Sequence, residues 1–330
     1  MDAPVLGAAG KMYSDADSWQ ASVTMRYQKS DRHFIGSDEQ EQREKEGSQV
    51  INTIYLLDYS LKYQWSERTS FTLSVPYFMG ERSQAIRDEN SVVVNRFQTD
   101  ARGPGDIVFT TRSFLFEPCA ESKGNVSVGF GIKFPTGADN VNDAFLVRGS
   151  DGKYTTQIRP VDQSIQPGDG GIGYLLEVQG FRRLIEDRLS VYGTVAYLFN
   201  PENTNGVHRN LTSTSENSVG DQYLADAGFA GPVPKVDGLS WRLAGRLEGV
   251  PWKDVIGSSQ GFRRPGYAVS IEPALSYSWK NETVSVAVPY ALYRNRTRSY
   301  DDRHNATNPK AHGDAAFADY ILFFGFTHRY

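Results

Sequence analysis

Asp314–Tyr330 reads DAAFADYILFFGFTHRY, and this stretch decides the fold. One parity holds Ala316, Ala318, Tyr320, Leu322, Phe324, Phe326, His328 and Tyr330; the other holds Phe317, Asp319, Ile321, Phe323, Gly325, Thr327 and Arg329. A period of two marks a strand with two unlike faces. The strand runs to an aromatic last residue. A soluble domain has little use for such an end. In an outer-membrane barrel the last strand closes the wall, and its terminal aromatic lies in the interfacial girdle. His328 breaks the apolar run near that girdle, where the polar tip of a ring reaches water.

The same alternation recurs upstream. Leu57, Tyr59, Leu61, Tyr63 and Trp65 oppose Asp58, Ser60, Lys62 and Gln64. Val126, Val128, Phe130, Ile132 and Phe134 oppose Ser127, Gly129, Gly131 and Lys133. Leu239, Trp241, Leu243 and Leu247 oppose Ser240, Arg242, Ala244, Arg246 and Glu248. In Thr283–Arg294, Val284, Val286, Val288, Tyr290 and Leu292 are expected on one face, opposite Ser285, Ala287, Ala291 and Tyr293. The polar face cannot meet lipid, because a charge at mid-bilayer costs a barrel about 2–4 kcal/mol.

Short connections alternate with long ones. The short ones are Ser66–Ser70, Ala120–Gly124, Ile185–Arg188, Pro234–Gly238 and Lys280–Glu282. The long ones are Lys29–Gln49, Arg82–Arg102, Asp139–Gly168, Asn203–Val219, Lys253–Pro265 and Arg298–Gly313. Tight periplasmic turns and long outer loops give this asymmetry; a sandwich does not. The expected fold is all-β: a transmembrane up-and-down antiparallel barrel of about 12 strands, an even number with both ends periplasmic. Met1–Asp17 is expected as an N-terminal periplasmic tail or lumen plug, and residues 18–330 as the barrel.

Composition agrees. The chain has 330 residues with 18 Tyr, 18 Phe, 5 Trp and 31 Gly, against 4 Met and 1 Cys. No run approaches the ~20 apolar residues of a membrane helix, and alternation hides barrel strands from hydropathy. The net charge of −4 offers no nucleic-acid footprint. The lone Cys119 excludes an intramolecular disulfide framework. Met1-Asp2-Ala3-Pro4 lacks a basic start and an apolar core, so an exported barrel is expected to begin here at its mature end with an added Met.

Val75-Pro76, Phe134-Pro135, Val250-Pro251, Val288-Pro289 and Asn200-Pro201 fall late on upward strands. Gly105-Asp106, Gly168-Asp169, Gly220-Asp221 and Gly313-Asp314 open downward ones. Proline ends ladder pairing, and Gly-Asp favours a turn or bulge, so these pairs are expected to mark the outer rim. An alternative is a ring of carboxylates at the mouth.

The chemistry-bearing residues point inward. Arg26, Lys62, Arg112, Lys133, Arg183, Arg242 and Arg246 stand against Asp58, Glu177, Asp226, Glu248 and Glu272. They are expected to line a pore, through ion-pair networks, a water-filled path, or both. Arg242 and Arg246 are expected to reach Asp226 and Glu272 across neighbouring strands. His33, His208, His304 and His312 fall in expected loops and show no metal-ligand spacing. No histidine is expected inside a membrane strand, which disfavours a Ser–His hydrolase. Asp139, Asp143, Asp151 and Asp162 share one loop without the pattern of a calcium loop. No cofactor, metal or catalytic residue is expected.

Three segments carry a resemblance: Gly103-Pro104-Gly105-Asp106-Ile107, Gly131-Ile132-Lys133-Phe134-Pro135-Thr136-Gly137, and Gln166-Pro167-Gly168-Asp169-Gly170-Gly171 leading into Tyr174–Leu184. In this order the chain resembles the outer-membrane channel-like family labelled putative transporters of the phenol meta-cleavage degradation pathway. The resemblance implies a barrel and the passage of small, aromatic or hydrophobic, compounds; it brings no catalytic residue. The leading expectation is a monomeric outer-membrane channel of a Gram-negative bacterium, embedded in lipid and lipopolysaccharide. The alternatives are an occluded barrel whose loops bind a partner and, less favoured, an outer-membrane lipid-modifying enzyme.

Overall fold

The computed structural model describes residues 14–118, 122–149, 151–208 and 215–330. Met1–Tyr13, most of the expected tail or plug, and Cys119 lie outside the described residues. The chain forms a closed, twelve-stranded antiparallel barrel. Its strands are β1 (Ser18–Ile35), β2 (Ile51–Gln64), β3 (Thr69–Arg87), β4 (Val93–Pro104 continuing as Ile107–Phe114), β5 (Gly124–Phe134) and β6 (Gly173–Ile185). They continue as β7 (Leu189–Phe199), β8 (Gln222–Pro232), β9 (Leu239–Val250), β10 (Gly266–Trp279), β11 (Glu282–Ala287 continuing as Tyr290–Asn295) and β12 (Ala315–Arg329). Each pairs with its sequence neighbours, and β12 closes on β1 from Gln20↔Arg329 to Phe34↔Ala315.

The wall is built as the alternation requires. Trp19, Tyr59, Trp65, Tyr77, Tyr277, Trp279, Phe324 and Tyr330 stand exposed on its outer side. Val128, Leu243 and Val286 lie between the two aromatic levels, also exposed. In water such a surface would aggregate; in a bilayer it matches the apolar band. The periplasmic hairpins are tight. Asp187, Lys235 and Lys280 take positive φ of 52°, 68° and 50° there. Gly238 has φ 79°, and a Cβ on it would meet the Ser278 carbonyl oxygen at 2.2 Å.

Three sequence expectations need correction. β1 runs on through Lys29 to Ile35, so His33 belongs to a strand end. Arg82–Arg102 is mostly paired strand: β3 and β4 extend outward to Arg87 and Val93. Tyr293 faces outward with Leu292, because a register shift between Val269↔Tyr293 and Ser270↔Ala291 inserts Leu292 as an extra residue and flips the parity.

The proline and Gly-Asp pairs do mark places where pairing ends at Phe134, Phe199 and Val250. Pro76 and Gly105-Asp106 are one exception. They interrupt the wall within the β3–β4 hairpin, where Gly105 N donates to Pro76 O at 2.8 Å. Pro289 divides β11. Below it, β11 and β12 pair from Glu282↔His328 to Ala287↔Phe323. Above it only Tyr290↔Tyr320 is registered among the described residues. Side chains span the seam instead: Arg294 donates to Ala318 O at 3.0 Å and to Asp319 Oδ1 at 2.5 Å.

Candidate functional site: the lumen and its outer cap

The inward residues of β9 and β10 form the densest charge network. Glu272 accepts from Arg242 through one oxygen and from Arg246, at 3.3 Å, through the other. Arg246 also donates to Glu248 Oε2 at 2.6 Å. Asp226 of β8 lies directly opposite Arg246 in the register. Two arginines and three carboxylates thus occupy one patch of inner wall; Glu272 and Glu248 are paired directly, whereas the buried Asp226 carboxylate accepts no hydrogen bond from either arginine. Across the lumen Arg112 of β4 donates to Glu177 of β6, which also accepts from Gln179 at 2.8 Å. Arg26 of β1 donates to Gln28 Oε1 at 2.6 Å. Asp58 and Lys62 follow on the inner face of β2, opposite Thr24 and Gln20.

Two sequence candidates sit at the ends of the bore. Lys133 is at the outer rim, bonded to Asp169 and 3.8 Å from Asp106. Arg183 is at the periplasmic rim, two residues before the end of β6. The Gly-Asp carboxylates form no open ring. Asp106 accepts from the amides of Gly137 (2.9 Å) and Asp169 (3.2 Å). Asp221 accepts from the amides of Asn200 (2.7 Å) and Val255 (2.9 Å) and from the Tyr197 hydroxyl (2.8 Å). Asp314 bonds His33 and Arg43. Each fastens a loop to a strand end.

The part of the site that sequence reasoning missed is a cap over the outer mouth. The long β5–β6 loop carries its own hairpin, Asn142–Arg148 paired with Tyr154–Pro160. It then dips through a single 3-10 turn, Gln163–Ile165. Ile165 is fully buried against Phe78, Ala101, Phe145 and Val161. Phe78 shares the inward parity of β3 with Pro76 and Gly80, so the turn enters the mouth from above.

Ion pairs hold it there. Arg264 grips both oxygens of Asp162 at 2.8 Å, and Arg82 stands 3.3 Å from Oδ2. Burial alone would raise the Asp162 pKa; the two guanidiniums, with Ser164, hold it far below the usual carboxylate range. Gln163 donates to Ser218 O at 2.6 Å. Arg263 in turn bonds Ser218 Oγ and the buried Asp254, whose Oδ1 accepts from Asp221 N at 2.9 Å. The loops after β5, β7 and β9 are therefore one connected body.

Of the histidines, His33 bonds Asp314 at 2.8 Å and His328 bonds Glu282 at 2.7 Å. His304 and His312 bond carbonyls of Tyr300 and Arg296. None of these faces a serine hydroxyl in the bonds described. Asp143 caps the Asp100 amide at 2.8 Å, and Asp162 is held by arginines.

No family model matches the sequence, and no curated protein matches it. Solved structures do match in shape. The crystal structure of the COG4313 outer membrane channel from Pseudomonas putida F1 is similar over 100% of both chains, with a TM-score of 0.62 and 11% identity. The β domain of the Bordetella autotransporter BrkA covers 95% of this chain and 100% of its own, with a TM-score of 0.49 and 10% identity. The P. putida toluene transporter TodX covers 95% of this chain and 90% of its own, with a TM-score of 0.46 and 9% identity. The first of these bears out the fold that the resemblance implied, a closed antiparallel β-barrel. At that identity the likeness carries the fold and no substrate.

Proposed function

We propose that this barrel is a monomeric outer-membrane channel through which small organic solutes, aromatic or hydrophobic ones among them, pass passively. One observation carries the reading. The Arg112 side chain points into a closed barrel and is bonded to Glu177, yet 35% of it is exposed. A charged group with that much surface inside the wall stands in water, so the interior is not packed solid. Lipid and lipopolysaccharide are the partners this reading supplies for the apolar outer face, and the bacterial outer membrane is its place. The paired charges of Arg242, Arg246, Glu248 and Glu272 would then line and narrow the path. No step of this reading needs catalysis.

A second reading rests on the cap: the barrel is occluded, and its loops bind a partner. Proteoliposome swelling separates the two. The channel reading expects swelling with small neutral solutes and a cut-off as solute size rises. No swelling, with the cap intact or removed, would leave the occluded barrel.

A further inference from the structure

The periplasmic end of the lumen lacks the charge balance found higher up. Lys62 faces inward, and the register sets Gln20 of β1 beside it and Arg329 of β12 beside Gln20. Strands lie ~4.8 Å apart, so Lys62 and Arg329 stand about 10 Å apart on one inward row. The next residues on that row are Thr72 and Thr110. None of the five is acidic. Lys62 has neither a hydrogen bond nor an ion pair among the described residues, and it is not fully buried. Arg329 donates to Thr283 Oγ1 at 3.2 Å, a neutral partner. Arg112 of β4 stands one inward position off that row and adds another cation. Acidic residues close by are engaged elsewhere. Glu177 holds Arg112, Glu282 pairs with His328 on the outer face, and Asp17 turns to the outward-facing Tyr63 hydroxyl at 2.8 Å, away from the inward row.

An unbalanced positive field between low-dielectric walls concentrates anions. Further up the bore the arginines lie near aromatic rings. Arg242 stands 5.7 Å from the Tyr192 centroid, and Arg246 stands 5.6 Å from that of Phe323. There both arginines are paired with carboxylates and Tyr192 is buried, so the uncompensated positive charge is confined to the vestibule.

We propose that Lys62 and Arg329 form an anion-recruiting vestibule at the periplasmic end of the lumen, which fits this barrel to small organic carboxylates. The proposal rests on the channel reading for its place in transport, but the vestibule itself can be tested without it. Binding of benzoate and of benzyl alcohol to the detergent-solubilised full chain is followed by saturation-transfer NMR. The proteins are wild type, Lys62→Gln/Arg329→Gln, and Lys62→Arg. Benzoate affinity should fall at least about fivefold in the double variant and persist in Lys62→Arg, with the alcohol unchanged. Equal benzoate binding in wild type and double variant overturns the vestibule. A parallel fall for the alcohol overturns it too, because the loss would then not be of charge. The same proteins in planar bilayers under a KCl gradient test the channel reading separately. There the wild type should prefer chloride, and the preference should fall about twofold or more in the double variant. A silent bilayer with Lys62-dependent benzoate binding retains the vestibule and sinks the channel.

Discussion

Ile165 occupies the place that a side chain on Gly80 would need. A Cβ added to Gly80 would lie 2.9 Å from the Ile165 Cβ and 2.6 Å from the Phe78 ring. The cap is seated because β3 has no side chain at that inward position. Gly80→Val should therefore unseat it, at a cost of about 1–3 kcal/mol for overpacking. Trypsin should cut faster at Arg148 and Lys153, which lie in the cap loop. Unchanged cleavage in a folded variant would mean that the loop does not depend on this seat.

Asp162 is the electrostatic counterpart of that seat. A carboxyl held low stabilises above its unfolded pKa of about 3.9 and loses that contribution only as pH falls through the lower folded value. Protection of residues 135–172 from hydrogen exchange should be flat from pH 8 to pH 5 and decline only below about pH 4. Asp162→Asn should lose it at pH 7, since the buried Arg264 loses the carboxylate whose two oxygens it grips, at a cost on the order of 3 kcal/mol. A wild-type midpoint near pH 6 would assign the cap to another group.

Val286 and Ser285 are neighbours on opposite faces of β11. Val286→Arg puts a charge into lipid and should destabilise by about 2–4 kcal/mol, whereas Ser285→Arg turns into the lumen and should cost far less. Urea unfolding in lipid vesicles measures both. Equal costs would show the parity to be reversed.

The upper β11–β12 seam depends on side chains where other strand pairs use backbone. Arg294→Ala removes the bonds to Ala318 O and Asp319. Amide exchange in Tyr290–Asn295 should accelerate about tenfold, with little change in β7 or β8. Uniform acceleration would point to global loss of stability instead.

The barrel was legible in the sequence because alternation is local: Val284 to Ala287 declare their faces within four residues. Where a bulge intervenes, as at Leu292, the same rule misassigns Tyr293, since nothing in its neighbours signals an inserted residue. The Arg242, Arg246, Glu272 cluster was reachable because it needs only the register of adjacent strands. The cap was not. Asp162 and Arg264 meet across 102 positions of sequence, and only the loop path brings them together. Arg263-Arg264 beside an acidic loop was the available signal. Loops after β3 and β1 were read as coil, because Arg82 to Arg102 and Lys29 to Ile35 extend their ladders with polar side chains beyond the lipid band.

Single-channel recording tests the central claim most directly, comparing wild type with Arg242→Ala/Arg246→Ala in planar bilayers. If the lumen is a water path narrowed by these arginines, the wild type conducts. The double variant, with Glu272 unopposed, then conducts more and shifts its reversal potential toward cations. A wild type that conducts, with both quantities unchanged in the variant, would place the path elsewhere. A wild type that stays silent even with Gly80→Val would contradict the channel itself.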